Sequence, residues 1–524
     1  MRHYGTTVNR SWLLLLALLA ATLACSRGDV PMDSAIGSGG LPESTASTLS
    51  EETAEALLPT VTDTPAVTPT PFEIQPLATP TFPPTATVEA TEVVGTLLYE
   101  AQPGDSLRAV AVRFGVLPED ISSPDSLPED GSLLNPGHIL IIPNRVSASG
   151  LDEKLLPDSE VVFSPHAAEF DVIAFAELQG GYLTEYREYI SDGWHSGPEI
   201  VELAARDNSV NPRLLLALLE YQAGWVTDPS VPYGNGFNYP MGELNPQIPG
   251  LYRQLSWLSN ELGNGYYGWR SGALTELEFG DGTRVRLAPD LNAATVALQY
   301  YFALISEDID EWHAHLAEDG FMSLYRSFFG DPWGYEYLLF EPGVEQPELI
   351  LPFEPNRIWA LTGGPHGAWE RESAWAALDF APGSMESGCV DSDAWVVASA
   401  PGLVVRSANG AVVLDLDGDG REQTGWTLLY LHIATAGRVE EGTYLDVGDR
   451  IGHPSCEGGI ATGTHLHIAR KYNGEWILAD GPLPFNLGGW IAHAGTEPYQ
   501  GALIKGEDIV YASPYATQET LIVR

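Results

Sequence analysis

Cysteine is scarce in this chain: there are three in 524 residues, at positions 25, 389 and 456. A dense disulfide framework is therefore excluded as the main source of stability. Basic residues are also few. Lys and Arg total 25 against 71 Asp and Glu, for a formal net charge of −46. Nucleic acid is excluded as a partner, because neutralising a phosphate backbone needs a basic patch. The strongest apolar run, residues 12–24, falls short of the roughly 20 residues a membrane-spanning helix needs. What is present is enough apolar material for packed cores: 44% of the residues are hydrophobic. At roughly 100–200 residues per domain, the length leaves room for about three domains.

Arg2 and Arg10 form a basic start, and the short apolar run follows, as in a secretory signal segment. The stretch Thr22-Leu23-Ala24-Cys25 resembles the bacterial lipoprotein lipobox, with Thr22 where Leu is usual. That resemblance implies a signal peptide over residues 1–25, lipidation of Cys25, and an extracytoplasmic protein held at the cell envelope through a membrane anchor. Residues 26–94 are rich in Thr, Pro and Ser, and no Lys or Arg occurs between Arg27 and Arg108. Proline removes backbone donors, so this segment reads as a disordered, extended linker. An oxidising compartment permits disulfides. Cys389 and Cys456 are then expected to bridge, with two free thiols as the alternative.

Residues 95–144 carry the signals of a small βααβ unit. A strand-like run at Leu97-Leu98-Tyr99 is followed by the turn Gln102-Pro103-Gly104-Asp105-Ser106. Two short helical stretches come next, and then Ile139-Leu140-Ile141-Ile142. The motifs Gln-Pro-Gly-Asp-Ser-Leu, Val-Arg-Phe-Gly-Val and Asn-Pro-Gly-His-Ile-Leu-Ile-Ile-Pro resemble a LysM module. The resemblance implies binding of GlcNAc-containing glycan, such as peptidoglycan, with Gly104, Asp105, Ser106 and Leu107 lining one side of the groove.

Residues 165–345 read as mostly helical. Ser196-Gly197-Pro198-Glu199 is an N-cap pattern. The helix from Leu214 to Tyr221 is apolar nearly all round and so belongs inside the body. Its sequence resembles the helix that carries the catalytic Glu of lysozyme-like lytic transglycosylases. Gln222-Ala223 stands where that family has Glu-Ser, and Glu220, two residues earlier, points roughly 200° away on a helix. Glycosidic cleavage needs a protonated carboxyl at the leaving oxygen. A lysozyme-like body without that chemistry is the expectation, and a glycan-cleaving enzyme is the third-ranked reading of the whole chain.

From residue 351 to 496 short β-branched runs alternate with Gly-rich turns, which predicts an antiparallel all-β domain. The tail beyond has further apolar runs that the pattern leaves unplaced. Four of the twelve histidines, His366, His432, His465 and His467, fall in this region. In a strand, His465 and His467 project from one face, with Leu466 and Ile468 on the other. Two neutral imidazoles so placed suit a zinc ion. His313 and His315 have the same spacing on a predicted helix, where they diverge, and both are expected to face solvent. His453 reads as a loop residue. Asp415-Leu416-Asp417-Gly418-Asp419-Gly420 starts like a calcium loop but has Trp426 at the twelfth position, so a hairpin turn is the preferred reading.

The C-terminal motifs resemble the lysostaphin/LytM family of zinc metalloendopeptidases. They are Leu378-Asp379-Phe380-Ala381-Pro382 after His366, Leu429-Tyr430-Leu431-His432, Val447-Gly448-Asp449-Arg450-Ile451-Gly452 and Gly463-Thr464-His465-Leu466-His467. The resemblance implies that His366, Asp379 and His467 bind Zn²⁺. It gives His465 the role of general base on the zinc-bound water, and has His432 orient the water or stabilise the oxyanion. Twelve residues separate His366 from Asp379, where the family usually has three. The site requires that this loop return the carboxylate. The expected function is a peptidoglycan endopeptidase. The alternative is a non-catalytic wall-binding lipoprotein that regulates other wall hydrolases.

Overall fold

The computed structural model describes residues 95–128, 132–146, 149–190, 193–369 and 374–524. The expected signal peptide, Cys25 and the linker lie outside the described residues. All the described residues belong to one unit, Leu77–Arg524.

The N-terminal module is built on β1 (Thr96–Glu100) and β2 (Ile139–Pro143), paired antiparallel with Leu98 opposite Ile141. Helix α1 (Leu107–Arg113) starts at Ser106, whose side chain accepts from the Ala109 amide. That bond satisfies one of the free donors of the first turn. The second predicted helix is only a 3-10 turn, Pro118–Asp120. Ser122, Ser123 and Pro124 follow it closely, and the residue before a proline disfavours helix. Tyr99, Val110, Phe114, Leu140 and Ile142 close a small core.

The helical body contains α2 (Val172–Gln179), α3 (Gly197–Asn208), α4 (Pro212–Ala223), α5 (Leu251–Ser271), α6 (Ala293–Ile305), α7 (Ile309–Leu316) and α8 (Phe321–Phe329). Ser196 and Glu199 form a reciprocal capping box at the start of α3. Leu214 through Leu219 are wholly buried, so α4 is the central helix its composition predicts. Leu155, Leu156, Val161 and Val162 join the same core, so the body begins before residue 165. Isolated apolar residues in a coil segment carry no periodicity, which is why the sequence pattern omits them.

The C-terminal domain is a nine-stranded antiparallel sheet. Its strands are β3 (Ile358–His366), β4 (Ala377–Pro382), β5 (Gly402–Ala408), β6 (Ala411–Asp415), β7 (Trp426–Leu431), β8 (Tyr444–Leu445), β9 (Leu466–Tyr472), β10 (Glu475–Trp476) and, after a smaller sheet, β15 (Leu521–Val523). The order across the sheet is β8-β5-β6-β7-β9-β4-β3-β15, with β10 paired to β9. The smaller sheet is β11 (Asn486–Leu487), β12 (Trp490–Ala494), β13 (Gly501–Lys505) and β14 (Asp508–Tyr511). The domain therefore runs to the C-terminus rather than stopping at residue 496, because Ile522 pairs with Trp359 at the far edge.

Both faces of the large sheet are covered. Leu428, Tyr430, Leu466 and Ile468 pack on one side. Leu429, Leu431, Ala469 and Trp476 pack on the other, against Tyr267 of α5. The helical body also meets this domain through buried polar contacts. Trp476 Nε1 donates to the Asn208 carbonyl at 3.1 Å, and Arg406 pairs with Asp207 at 2.6 Å. Arg270 of α5 pairs with Glu475 at 3.1 Å and with Asp158 at 2.9 Å. Among the described residues no helix is long and apolar enough to cross a membrane.

Candidate metal centre

Four neighbouring strands, β7, β9, β4 and β3, bring the candidate residues together. In register, Leu431 faces His467, His467 faces Asp379, and Asp379 faces Gly363. The strand period of two puts Leu466, Ile468, Leu378 and Phe380 into the core on one face. His467 and Asp379 are thereby turned to the other.

The long loop between His366 and Asp379 closes as a hairpin. β3 and β4 pair with two register shifts, and His366 lies opposite Ala377. The Ala368 amide donates to the Ala374 carbonyl at 2.9 Å, which closes the loop base. Two glycines make the approach of other chain segments possible. A methyl on Gly363 would stand 2.7 Å from Asp379 Oδ2, and one on Gly364 would collide with the Gln500 backbone.

Each imidazole gives one nitrogen to a backbone carbonyl. His366 Nδ1–H donates to Gly364 O at 2.8 Å, and His467 Nε2–H to Ala368 O at 2.8 Å. His465 Nδ1–H donates to Gly463 O at 2.7 Å, and His432 Nδ1–H to Glu457 O at 2.8 Å. A carbonyl only accepts, so these contacts set the tautomers of the neutral rings. The second nitrogens carry lone pairs. His366 Nε2 lies 3.0 Å from His467 Nδ1 and 3.3 Å from Asp379 Oδ1, and His467 Nδ1 lies 3.2 Å from that same oxygen.

Three electron-pair donors at this separation repel unless a proton or a cation sits among them. Asp379 Oδ1 is buried and receives no hydrogen bond. Burial acts against charge on His366, yet the Asp379 carboxylate holds that imidazole above its ordinary value. The same pairing holds Asp379 well below the carboxylate range, although burial pushes the other way. A tetrahedral shell with bonds near 2.0–2.1 Å places its ligand atoms about 3.3 Å apart. The three atoms therefore fit a metal ion, and two imidazoles with one carboxylate suit zinc or another divalent transition metal.

His465 and His432 stand beside this trio. His465 Nε2 is 3.8 Å from Asp379 Oδ1, and the two rings lie 4.4 Å apart. Burial, then the neighbouring His465 and His467, push His432 down to about 3. His432 adopts a left-handed backbone, φ 64°. That conformation is strained for a non-glycine residue and needs surrounding support.

Comparison with known proteins bears on this arrangement. The chain is similar to Protease LasA. Forms of that protein from two strains of Pseudomonas aeruginosa are 23% identical to it over 380 and 383 residues, which covers 68% of this chain and 83% of theirs. The family described as the LasA N-terminal domain matches residues 154–341. The helical body expected to be lysozyme-like is thus matched by that domain over nearly its whole span. Among solved structures, the M23 metalloprotease pseudoalterin from the deep sea is 18% identical, with a TM-score of 0.28, over 34% of this chain and 99% of that one. The catalytic domain of the peptidase lysostaphin from Staphylococcus simulans is 22% identical, with a TM-score of 0.18, over 24% of this chain and 90% of that one.

Several residues around the centre have no local signal in the sequence. The Tyr499 ring stacks on His366 at 4.1 Å from a loop that follows β12. Ala368 and Glu457 act through backbone oxygens, which any residue type supplies. Only the Gly363-Gly364 pair is a visible hint of close backbone approach.

Other candidates fall elsewhere. Gly104, Asp105, Ser106 and Leu107, expected to line a glycan groove, are buried. Asp105 accepts from Tyr99 at 2.6 Å and pairs with Arg113 at 2.7 Å. Arg270 of the helical body donates to the Pro103 carbonyl and fills the space where a side chain on Gly104 would go. His315 is not solvent-facing: it stacks on Phe302 at 4.9 Å and bonds the Tyr221 hydroxyl, while His313 is exposed. Glu220 is committed to the turn after α4, accepting from the amides of Val226 and Thr227. Asp415 accepts amides of its own turn from Asp417, Gly418 and Gly420. His453 bonds the Ala394 carbonyl away from the metal centre. Cys389 and Cys456 form a disulfide.

Proposed function

We propose that the protein is a zinc-dependent endopeptidase that hydrolyses peptide bonds of bacterial cell-wall peptidoglycan. The observation that carries this reading is the convergence of three buried ligand atoms, from His366, Asp379 and His467, beside two further histidines. Similarity to Protease LasA over 83% of that protein supports the peptidase class. Peptidoglycan as substrate follows from the motif resemblance. Residues 1–25 would carry the chain out of the cytoplasm, and lipidation of Cys25 would hold it at the envelope.

His366, Asp379 and His467 would hold the ion. A bound Zn²⁺ lowers the pKa of its water and polarises the scissile carbonyl. His465, with Nδ1–H tied to Gly463, presents Nε2 to the centre and takes a proton there as general base. His432, with Nδ1–H tied to Glu457, likewise presents a lone pair. Its tautomer suits orienting the attacking water by accepting from it, rather than donating to an oxyanion. The hydrogen bonds from the outer nitrogens to these carbonyls orient both rings.

The test is metal content with digestion of purified peptidoglycan by the intact protein and by His467→Ala. Near one zinc per chain, and new amino termini that vanish in the variant, is the expected result. No zinc and no new termini with the intact protein would overturn the peptidase reading in favour of a wall-bound regulator.

A further inference from the structure

The disulfide lies beside the two histidines that do not belong to the metal-ligand trio. Cys456 sits in the segment 455–457, and every residue of that segment is tied to one of them or to the loop facing them. The Ser455 amide donates to His432 O at 2.7 Å, and its hydroxyl to the same oxygen at 3.1 Å. The His465 amide donates to Ser455 O at 3.3 Å. Glu457 O receives His432 Nδ1–H, while the Glu457 carboxylate accepts from the Thr435 amide at 2.9 Å and its hydroxyl at 2.6 Å. Cys456 itself is bonded to Cys389. The Cys389 loop is held in turn by Thr464: the Val390 amide donates to Thr464 Oγ1 at 2.9 Å, and the Thr464 amide to Gly388 O at 3.1 Å.

Among the described residues, the side chains of the three ligand residues bond none of residues 455–457, and the outer nitrogens of His366 and His467 bond Gly364 and Ala368, on the β3–β4 hairpin. The disulfide therefore bears most directly on His432 and His465, while the outer nitrogens of the two ligand histidines are held by the hairpin. His432 also has a strained backbone, so its geometry depends on what holds it. A covalent cross-link removes freedom that a few hydrogen bonds at an exposed edge leave open.

We infer that the Cys389–Cys456 disulfide is a positioning element for catalysis: it straps segment 455–457 so that Glu457 O and Ser455 hold His432 and His465 in register with the metal centre, without contributing to metal binding. The inference rests on the peptidase reading above. Cys389 is exposed and Cys456 half-buried, so the bond is open to reductants.

The experiment reduces the folded, zinc-loaded protein with a water-soluble phosphine. Phosphorus attacks one sulfur, the S–S bond breaks, and water supplies the oxygen of the phosphine oxide and the two thiol protons. Zinc per chain, kcat and KM on a soluble wall-peptide fragment, and the imidazole NMR signals are followed before reduction, after it, and after re-oxidation. Loss of a supporting contact to a site residue typically costs 10–100-fold in activity. The expected result is a fall in kcat of about that size, a smaller change in KM, unchanged zinc, and recovery on re-oxidation. The Cys389→Ser/Cys456→Ser double variant should match the reduced state. An unchanged kcat, or zinc lost in step with kcat, would overturn the inference. If the oxidised protein cleaves nothing, the peptidase reading fails by itself. The NMR arm still decides the strap, because His432 and His465 signals that do not move on reduction would refute it.

Discussion

Replacing Gly363 by alanine tests the metal centre through a residue that ligates nothing. Gly363 does not have a positive φ, so alanine brings no backbone strain and acts by sterics alone. Its methyl would stand 2.7 Å from Asp379 Oδ2 and 3.0 Å from Asp379 Cβ. Ordinary carbon contacts begin near 3.5 Å, so the carboxylate must retreat by roughly 0.5–0.8 Å. Metal–ligand distances tolerate about ±0.2 Å. The carboxylate then leaves coordination range or drags β4 with it. The expected loss is about 10–100-fold in metal affinity, or roughly 1.4–2.7 kcal/mol. The assay is a zinc competition titration against a chromophoric chelator, run beside a thermal melt to confirm folding. Gly383→Ala is the control, since a methyl there meets nothing within 4 Å. A folded Gly363→Ala protein that binds zinc as tightly as its parent would refute the assignment of Asp379 as a ligand.

Two further outcomes follow from buried charge at the contact between the helical body and the sheet. Arg270→Met leaves Glu475 with the Tyr266 hydroxyl as its partner, and breaking such a buried pair costs about 3–5 kcal/mol, to be read by urea denaturation. Burial pushes the Glu422 carboxyl up, but Arg406 and Lys471 outweigh it and hold it at about 2. A depressed acid contributes stability that is complete above its unfolded value, near ~4.3, and is lost as pH falls toward about 2. Glu422→Gln should flatten the stability curve over that window, and a curve with an unchanged slope there would contradict the pairing.

The readable part of this protein is what local period and turn chemistry encode. His465 and His467 alternate with Leu466 and Ile468, and a strand needs no partner to put alternate residues on one face. The α3 capping box, the apolar α4 and the module strands are legible for the same reason. Reading stops where placement depends on segments far apart in the chain. The return of Asp379 to His366 across a loop of twelve residues is set by β3–β4 register. The seat of Tyr499 on His366 depends on a sheet that starts near residue 486, and Ile522 pairs with Trp359 across more than 160 intervening residues. The burial of Gly104 under Arg270 is the sharpest case. The loop has the local chemistry of an open turn, yet a guanidinium from α5 occupies it. His315 follows suit, drawn onto the Tyr221 hydroxyl from 94 residues along the chain. Periodicity is a property of one segment, and the contacts that make or close a site belong to pairs of segments, which only tertiary packing chooses.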